Sequence, residues 1–409
     1  MIQDPLKLPN GRVLKNRIVK SAMSEALADA HNDPTEGLIA LYEEWSRSGA
    51  ALLITGNTPV DRGHLEHAAN VVLDETSDPA RTKRLAAAAR SGGALALVQI
   101  SHSGRQTPEA INPRPLSLSD EALDLPGYGP PRAAEEAELH TVVARFARAA
   151  ELAWQAGFDG VEIHAAHGYL LRSSLSPRIN TRRDRWGGSL ENRSRLLREV
   201  VRAVRAATGP DFVVATKLNS SDFQKGGFSH AESLEVARML EREGIDLLEI
   251  SGGNFETPVA YQHSARKQST IAREAYFLDY ARDIKSALGI PVMVTGGFRT
   301  AAAMNSALAE GATDLIGMGR PFIMDPAFPA KLLAGEIDAA PAPERRFPPA
   351  EELPRGAVLN WFCHQLALRG MLGRAEPSLP VVQGHALYLD RIAEATEKLQ
   401  AARRTNTRP

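Results

Sequence analysis

Short apolar runs alternate with longer amphipathic segments from residue 17 to about residue 335, and this repeat constrains the fold more than any other feature. The apolar runs at Arg17–Met23, Ala51–Thr55, Ala94–Ile100, Gly160–His164, Phe212–Lys217, Asp246–Ser251, Pro291–Gly296 and Asp314–Met318 read as strands. Between them, segments such as Thr35–Ser48, Pro79–Arg90, Thr141–Gln155, Leu190–Ala207, His230–Glu243, Ala272–Ala287 and Ala301–Ala309 carry a helical period. Leu52-Leu53-Ile54 and Leu247-Leu248-Glu249-Ile250 lack the polar–apolar alternation of a half-exposed strand. Continuous runs suit parallel strands covered on both faces. Eight strand–helix units predict an α/β fold, a (β/α)8 TIM barrel. A doubly wound open sheet is the competing architecture.

Two regions do not fit the repeat. Ser101–His140 holds Pro108, Pro113, Pro115, Pro126, Pro130 and Pro131. That loop is too long for a plain connection and reads as functional or capping. Beyond Gly335 a Pro-rich stretch, Pro341–Pro354, precedes helical patterns at Asn360–Arg369 and His385–Ala402. The expected organisation is therefore a barrel over residues 1–335 and a C-terminal helical extension over 336–409. The extension is too short to bury a large core alone, so it is expected to pack on the barrel or on a partner subunit.

Composition removes several functions. The 409 residues carry a formal net charge of −1, which offers no field for nucleic acid or an anionic membrane. The lone cysteine, Cys363, excludes an internal disulfide and a cysteine metal cluster. Met1-Ile2-Gln3-Asp4-Pro5 has no apolar core of a secretory signal, and no run reaches membrane-spanning length. The expectation is a soluble, cytoplasmic protein acting on a small molecule, compatible with a homo-oligomer.

The chemistry concentrates at Gly160-Val-Glu-Ile-His164-Ala-Ala-His167-Gly-Tyr169-Leu170. A β-branched run ends at His164, and His167 and Tyr169 follow within five residues. Two imidazoles and a phenol at one strand end can grip an electron-rich oxygen and deliver a proton. The same pair could ligate a metal, but no Asp, Cys or third His stands nearby in sequence. His102 is the one candidate for a third ligand, and no metal is expected.

Barrel enzymes carry catalytic groups at the C-terminal strand ends, with phosphate held by the loops after strands seven and eight. There this chain has Thr295-Gly296-Gly297-Phe298-Arg299 and Met318-Gly319-Arg320-Pro321. Glycine lets backbone N–H groups approach an anion, and arginine grips phosphate with two bonds. Neither a G-x-G-x-x-G after the first strand nor a P-loop is present. Lys20-Ser21-Ala22-Met23-Ser24, Gln99 and Lys217 stand at other strand ends. Phosphate grip, cation and amide or hydroxyl donors together suit flavin mononucleotide (FMN).

The segment His164–Arg193 resembles the old yellow enzyme family of flavin-dependent NAD(P)H oxidoreductases. Lys15-Asn16-Arg17-Ile18-Val19, Gln99 with His102-Ser103-Gly104-Arg105, Lys217-Leu218-Asn219-Ser220 and Gly317-Met318-Gly319-Arg320-Pro321 follow its order and spacing. The resemblance spans about residues 5–335. It implies FMN as cofactor, NADPH or NADH as reductant, and ping-pong reduction of the C=C bond of α,β-unsaturated carbonyl or nitro compounds. It implies that His164 and His167 hold the substrate oxygen while Tyr169 protonates the α-carbon. It further implies that Ser21, Met23, Ser24, Gly56, Gln99 and Lys217 meet the flavin ring, and that Gly296, Gly297, Gly319 and Arg320 meet the phosphate. Ala26, where one branch has a tyrosine, and Phe255 are expected to line the substrate pocket, which would be wider at Ala26. Lys217 stands where several members have arginine, keeping the charge but not the fork. Two alternatives stay open: an FMN-dependent dehydrogenase or demethylase on the same scaffold, and a non-redox phosphate-ligand barrel.

Overall fold

The computed structural model describes residues 1–252 and 277–405. Its main sheet contains eight parallel strands: Ile18–Lys20 (β1), Leu52–Ile54 (β2), Leu95–Ser101 (β3), Gly160–Ala165 (β4), Val213–Asn219 (β5), Leu247–Ser251 (β6), Val292–Thr295 (β7) and Leu315–Met318 (β8). Each strand pairs with the next, β8 pairs with β1 and β2 pairs with β3, so the sheet closes into a barrel. Every expected strand is found within a few residues of its expected bounds. The open-sheet alternative is excluded by the β8–β1 pairing of Ile316 with Ile18.

Side-chain alternation divides the barrel interior into two layers. The lower layer is apolar: Val19, Leu52, Leu97, Val213, Ala215, Leu247, Met293 and Leu315 pack with Leu8 and Leu14. Leu8 and Leu14 come from a short N-terminal β-hairpin, Leu6–Lys7 paired with Val13–Leu14, which the sequence did not announce. Two residues further along the same strands the interior turns polar. Gln99 lies beside Glu162, and Lys217 lies beside both His164 and Glu249. This upper layer is the floor of the site.

The outer helices are Glu36–Ser46 (α1), Pro79–Arg90 (α2), Glu136–Ala156 (α3), Arg195–Ala207 (α4), His230–Arg242 (α5), Leu278–Ala287 (α6) and Ala301–Ala309 (α7). Their starts are marked by side-chain caps at Thr35, Asp78, Ser229 and Thr300. The third helix begins five residues earlier than its apolar period suggests. Glu135 and Glu138 form a reciprocal cap there, ahead of the first core residue, Leu139.

After the barrel come Ala357–Leu372 (α8) and Val381–Thr405 (α9), both longer than their sequence patterns. They pack on each other and, through α8, on α1. Arg369 fastens α8 by donating to the Ile323 carbonyl at 2.7 Å and pairing with Glu44 at 2.8 Å. No helix among the described residues is long and apolar enough to cross a membrane.

Candidate active site

At the C-terminal mouth of the barrel lies a cavity of about 1140 Å³. Its wall includes His164, His167 and Tyr169 together with Met23, Ser24, Gln99, Lys217, Gly296, Gly297, Gly319 and Arg320. Residues expected to act together from eleven separate sequence positions therefore share one space.

The histidine pair is held by backbone geometry that only the fold explains. His167 adopts a left-handed φ of 59°, uncommon for a side-chain-bearing residue. Its amide donates to Asn219 Oδ1 at 3.1 Å, its carbonyl accepts from Gln106 Nε2 at 3.1 Å, and its Nε2 lies 2.8 Å from Ser251 Oγ. The ends of β5 and β6 and the segment after β3 thus fix one strained turn. His164 Nδ1 accepts the Ala166 N–H at 3.2 Å, so the neutral ring carries its proton on Nε2. The His164 ring meets His167 and Tyr169 edge to face, with centroids 5.1 Å and 4.8 Å away.

Both imidazoles are held neutral. Burial, then the His167 ring and Lys217, press His164 well below its usual value. Burial and Lys217 bring His167 down to about 3. The two rings thereby offer an oxygen neutral hydrogen-bond donors. Tyr169 is 3% exposed and starts the short helix Leu170–Leu175.

The floor is an ionic layer that the sequence reading did not assign. Lys217 Nζ lies 2.7 Å from Glu249 Oε1, and Gln99 Nε2 donates to Glu162 Oε2 at 2.6 Å. Burial and the neighbouring Glu249 push the Glu162 carboxyl well above its ordinary value, so it holds a proton. Burial opposes ionisation of Glu249 too, but Lys217 prevails and keeps it a carboxylate. A signal was present: a glutamate inside an uninterrupted apolar strand, as in Val161-Glu162-Ile163 and Leu248-Glu249-Ile250, has to face a polar interior.

The opposite end suits a phosphate. Gly296 and Gly297 have φ of 107° and 94°, values that glycine reaches without strain. Gly317 is needed for a close approach, since a Cβ there would lie 2.0 Å from Thr295 Oγ1. Arg320 lies over the Phe362 ring at 5.2 Å, while Arg299 pairs with Glu344. The donor set is one that could hold FMN: Lys217, Gln99 and Ser24 offer polar groups for a flat ring, and the glycines and Arg320 suit a phosphate. A cavity of this size accommodates such a nucleotide.

Several expected contacts sit elsewhere. Ser21 does not line the cavity; its hydroxyl is 2.8 Å from Thr295 Oγ1, bracing β1 against β7. Gly56 is also outside the wall: its N–H donates to Glu25 Oε1 at 2.8 Å, and a Cβ would lie 2.0 Å from Glu25 Oε2. Ala26 is buried with Ala69 and Tyr388, so the space expected to be open above it is filled from α9. Ser24 lines the cavity but donates to Glu66 at 2.5 Å. Phe255 lies outside the described residues.

His102 does not join the pair on β4. It stacks on His64 with centroids 4.3 Å apart, facing Asp61 at 3.6 Å. These three bring ligand atoms within 4.8 Å of one another. Arg145 already pairs with Asp61, and His64 Nε2 accepts the Leu116 N–H at 2.9 Å. Asp61, His64 and His102 therefore tie the β3 loop to α3. Asn57, Glu66, His67, Tyr128 and much of residues 344–396 complete the cavity wall, and no local pattern marked them.

The family model described as NADH:flavin oxidoreductase / NADH oxidase matches residues 2–338. The NADH-dependent flavin oxidoreductase nadA of Aspergillus parasiticus is 38% identical over 349 residues, covering 81% of this chain and 78% of that protein. The NADH-dependent flavin oxidoreductase iliE of Hypocrea jecorina is 35% identical, covering 80% of this chain and 88% of that one. A solved 2-naphthoyl-CoA reductase in complex with 2-naphthoyl-CoA superposes with a TM-score of 0.77 at 28% identity. That superposition covers 83% of this chain and 53% of the other.

Proposed function

The chain belongs to the NADH:flavin oxidoreductase / NADH oxidase family, and from that premise we propose that it reduces the C=C bond of activated alkenes. It uses FMN as cofactor and NADH as reductant. When bound, FMN supplies two-electron transfer from reduced nicotinamide to the second substrate in separate half-reactions.

His164 and His167 hold the carbonyl or nitro oxygen of the alkene. As neutral donors they draw electron density toward that oxygen and leave the β-carbon electron-poor. Tyr169 gives its phenolic proton to the α-carbon. Met23, Ser24, Gln99 and Lys217 orient the flavin ring, and Gly296, Gly297, Gly319 and Arg320 hold its phosphate. The observation that carries this reading is the edge-to-face cluster of His164, His167 and Tyr169 in one cavity with Lys217. The cluster offers two neutral donors to a substrate oxygen and a phenolic proton beside them, which are the groups the reduction of an activated alkene uses.

Anaerobic turnover of NADH with maleimide, followed by product analysis, tests the reading. One succinimide per NADH consumed is the expected result. NADH consumption with dioxygen alone, and no succinimide, would refute the alkene specificity.

A further inference from the structure

The family match ends at residue 338, yet a large part of the cavity wall comes from beyond it. On α8 the contributors Leu359, Phe362, Cys363 and Leu366 recur every three or four residues, with Val358 and Asn360 beside them; on α9, Tyr388, Ile392 and Thr396 stand four apart, with Leu389 beside them. The two helices pack together. Phe362 belongs to the phosphate end, under Arg320. Tyr388 and Ile392 instead pack with Ala26 and Ala69, on the loops after β1 and β2.

The helix α9 is a fixed wall. Ala26 has a left-handed φ of 54°, and its carbonyl accepts two hydrogen bonds from the Arg391 guanidinium, one at 2.8 Å. Gln400 donates to the Ala110 carbonyl at 2.9 Å, and Arg403 donates to the carbonyls of Ile111 and Arg62. Leu399 packs among Leu65, Ala68, Val72 and Ile111. The loops after β1, β2 and β3 are all fastened to the same helix.

The wall is largely apolar: among the side chains the two helices give it, Val358, Leu359, Leu389 and Ile392 outnumber Asn360 and Thr396. Tyr388 and Cys363 hydrogen-bond to each other, and burial pushes the Cys363 thiol up to about 12, so it is no nucleophile. The cavity of about 1140 Å³ lies slightly above the roughly 300–1,000 Å³ of pockets that take one drug-sized ligand, and its wall runs from the β4 cluster to α9.

We propose that the C-terminal extension is the specificity element of this enzyme, and that Tyr388 and Ile392 select substrates carrying a bulky, flat, largely apolar group. The proposal rests on the alkene-reductase reading for where the reactive end lies. A small enone leaves this wall uncovered, whereas a fused aromatic ring buries against it.

Calorimetric titration of the FMN-loaded enzyme with succinimide and N-(1-naphthyl)succinimide, which cannot turn over, tests it. The naphthyl compound is expected to bind about tenfold tighter or better. Ile392→Trp and Thr396→Trp, which fill the space, each remove that advantage. Equal affinity in the native enzyme, including no binding of either compound, overturns the proposal. So does a naphthyl advantage that survives both substitutions. The underlying reading fails separately: naphthyl binding without turnover of maleimide would refute alkene reduction and leave the apolar wall standing.

Discussion

Lys217 and Glu249 face each other across β5 and β6, Nζ to Oε1 2.7 Å, with Glu162 as the second carboxyl beside them. A buried cation that would otherwise favour electron-rich flavin is thus partly neutralised from below. Glu249→Gln removes the compensating charge and is expected to raise the flavin midpoint potential. Glu162, relieved of its charged neighbour, then ionises and restores part of the balance. The double change Glu162→Gln/Glu249→Gln is therefore expected to shift the potential further, by about 30 mV or more, which is about 1.4 kcal/mol for a two-electron couple. Equilibrium reduction against a reference dye measures both, and an unchanged potential in the double variant contradicts the assignment.

On the proposed reading Tyr169 acts on the alkene and not on the nicotinamide. Tyr169→Phe is expected to slow reoxidation of flavin by an alkene by about 10²–10⁴, the usual scale for losing a positioned acid. Reduction by NADH should change far less. Stopped-flow absorbance resolves the two halves, and equal losses in both would refute a proton-donor role.

The buried histidines predict how stability depends on pH. His167 is lowered to about 3 and His102 to about 4, the latter by burial and the neighbouring His64. His164 is lowered well below its usual value as well. An unfolded chain protonates these rings near pH 6.5 while the native protein does not. The unfolded state then binds more protons, so stability falls as pH drops from about 6.5 toward 4, by about 1.4 kcal/mol per pH unit for each such ring. Burial works against ionisation of Asp61, yet hydrogen bonds from His102 and His64 hold its carboxyl below the ordinary range, which adds to the loss at low pH. Denaturant midpoints between pH 7 and pH 4 check the sign; a flat profile contradicts it.

Much of this architecture was readable in sequence because its determinants are local. Strand and helix periods repeat within a dozen residues, and catalytic groups sit at strand ends in any barrel of this kind. His164, His167, Tyr169, Gln99, Lys217 and the two glycine turns were accordingly found. What escaped depends on distant segments meeting. Ala26 reads as an open position until Tyr388 and Arg391 are seen beside it, 365 residues away in the case of Arg391. The turn at His167 needs Asn219 and Ser251 from the ends of β5 and β6 and Gln106 from the segment after β3. Ser21 and Gly56 are kept from the cavity wall by Thr295 and Glu25, partners that are distant in sequence.

Just after the catalytic turn, Arg172 and Asp222 form an ion pair with both side chains fully buried. Asp222 also accepts from Ser176 Oγ at 3.0 Å and the Phe228 amide at 2.7 Å, joining the short helix after β4 to the loop after β5. Asp222→Ala leaves an arginine charge without its counterion in the interior. A loss of about 3–5 kcal/mol is expected from chemical denaturation. A loss below about 1 kcal/mol would show that the pair does not hold the turn.

The measurement that bears most directly on the account is the flavin spectrum of the FMN-loaded protein under strict anaerobiosis. The account predicts that one equivalent of NADH bleaches the flavin absorbance, and that maleimide or 2-cyclohexenone restores it in the native enzyme. Restoration should be much slower in Tyr169→Phe. Flavin that NADH bleaches but neither alkene reoxidises would contradict the assignment of His164, His167 and Tyr169 to alkene reduction.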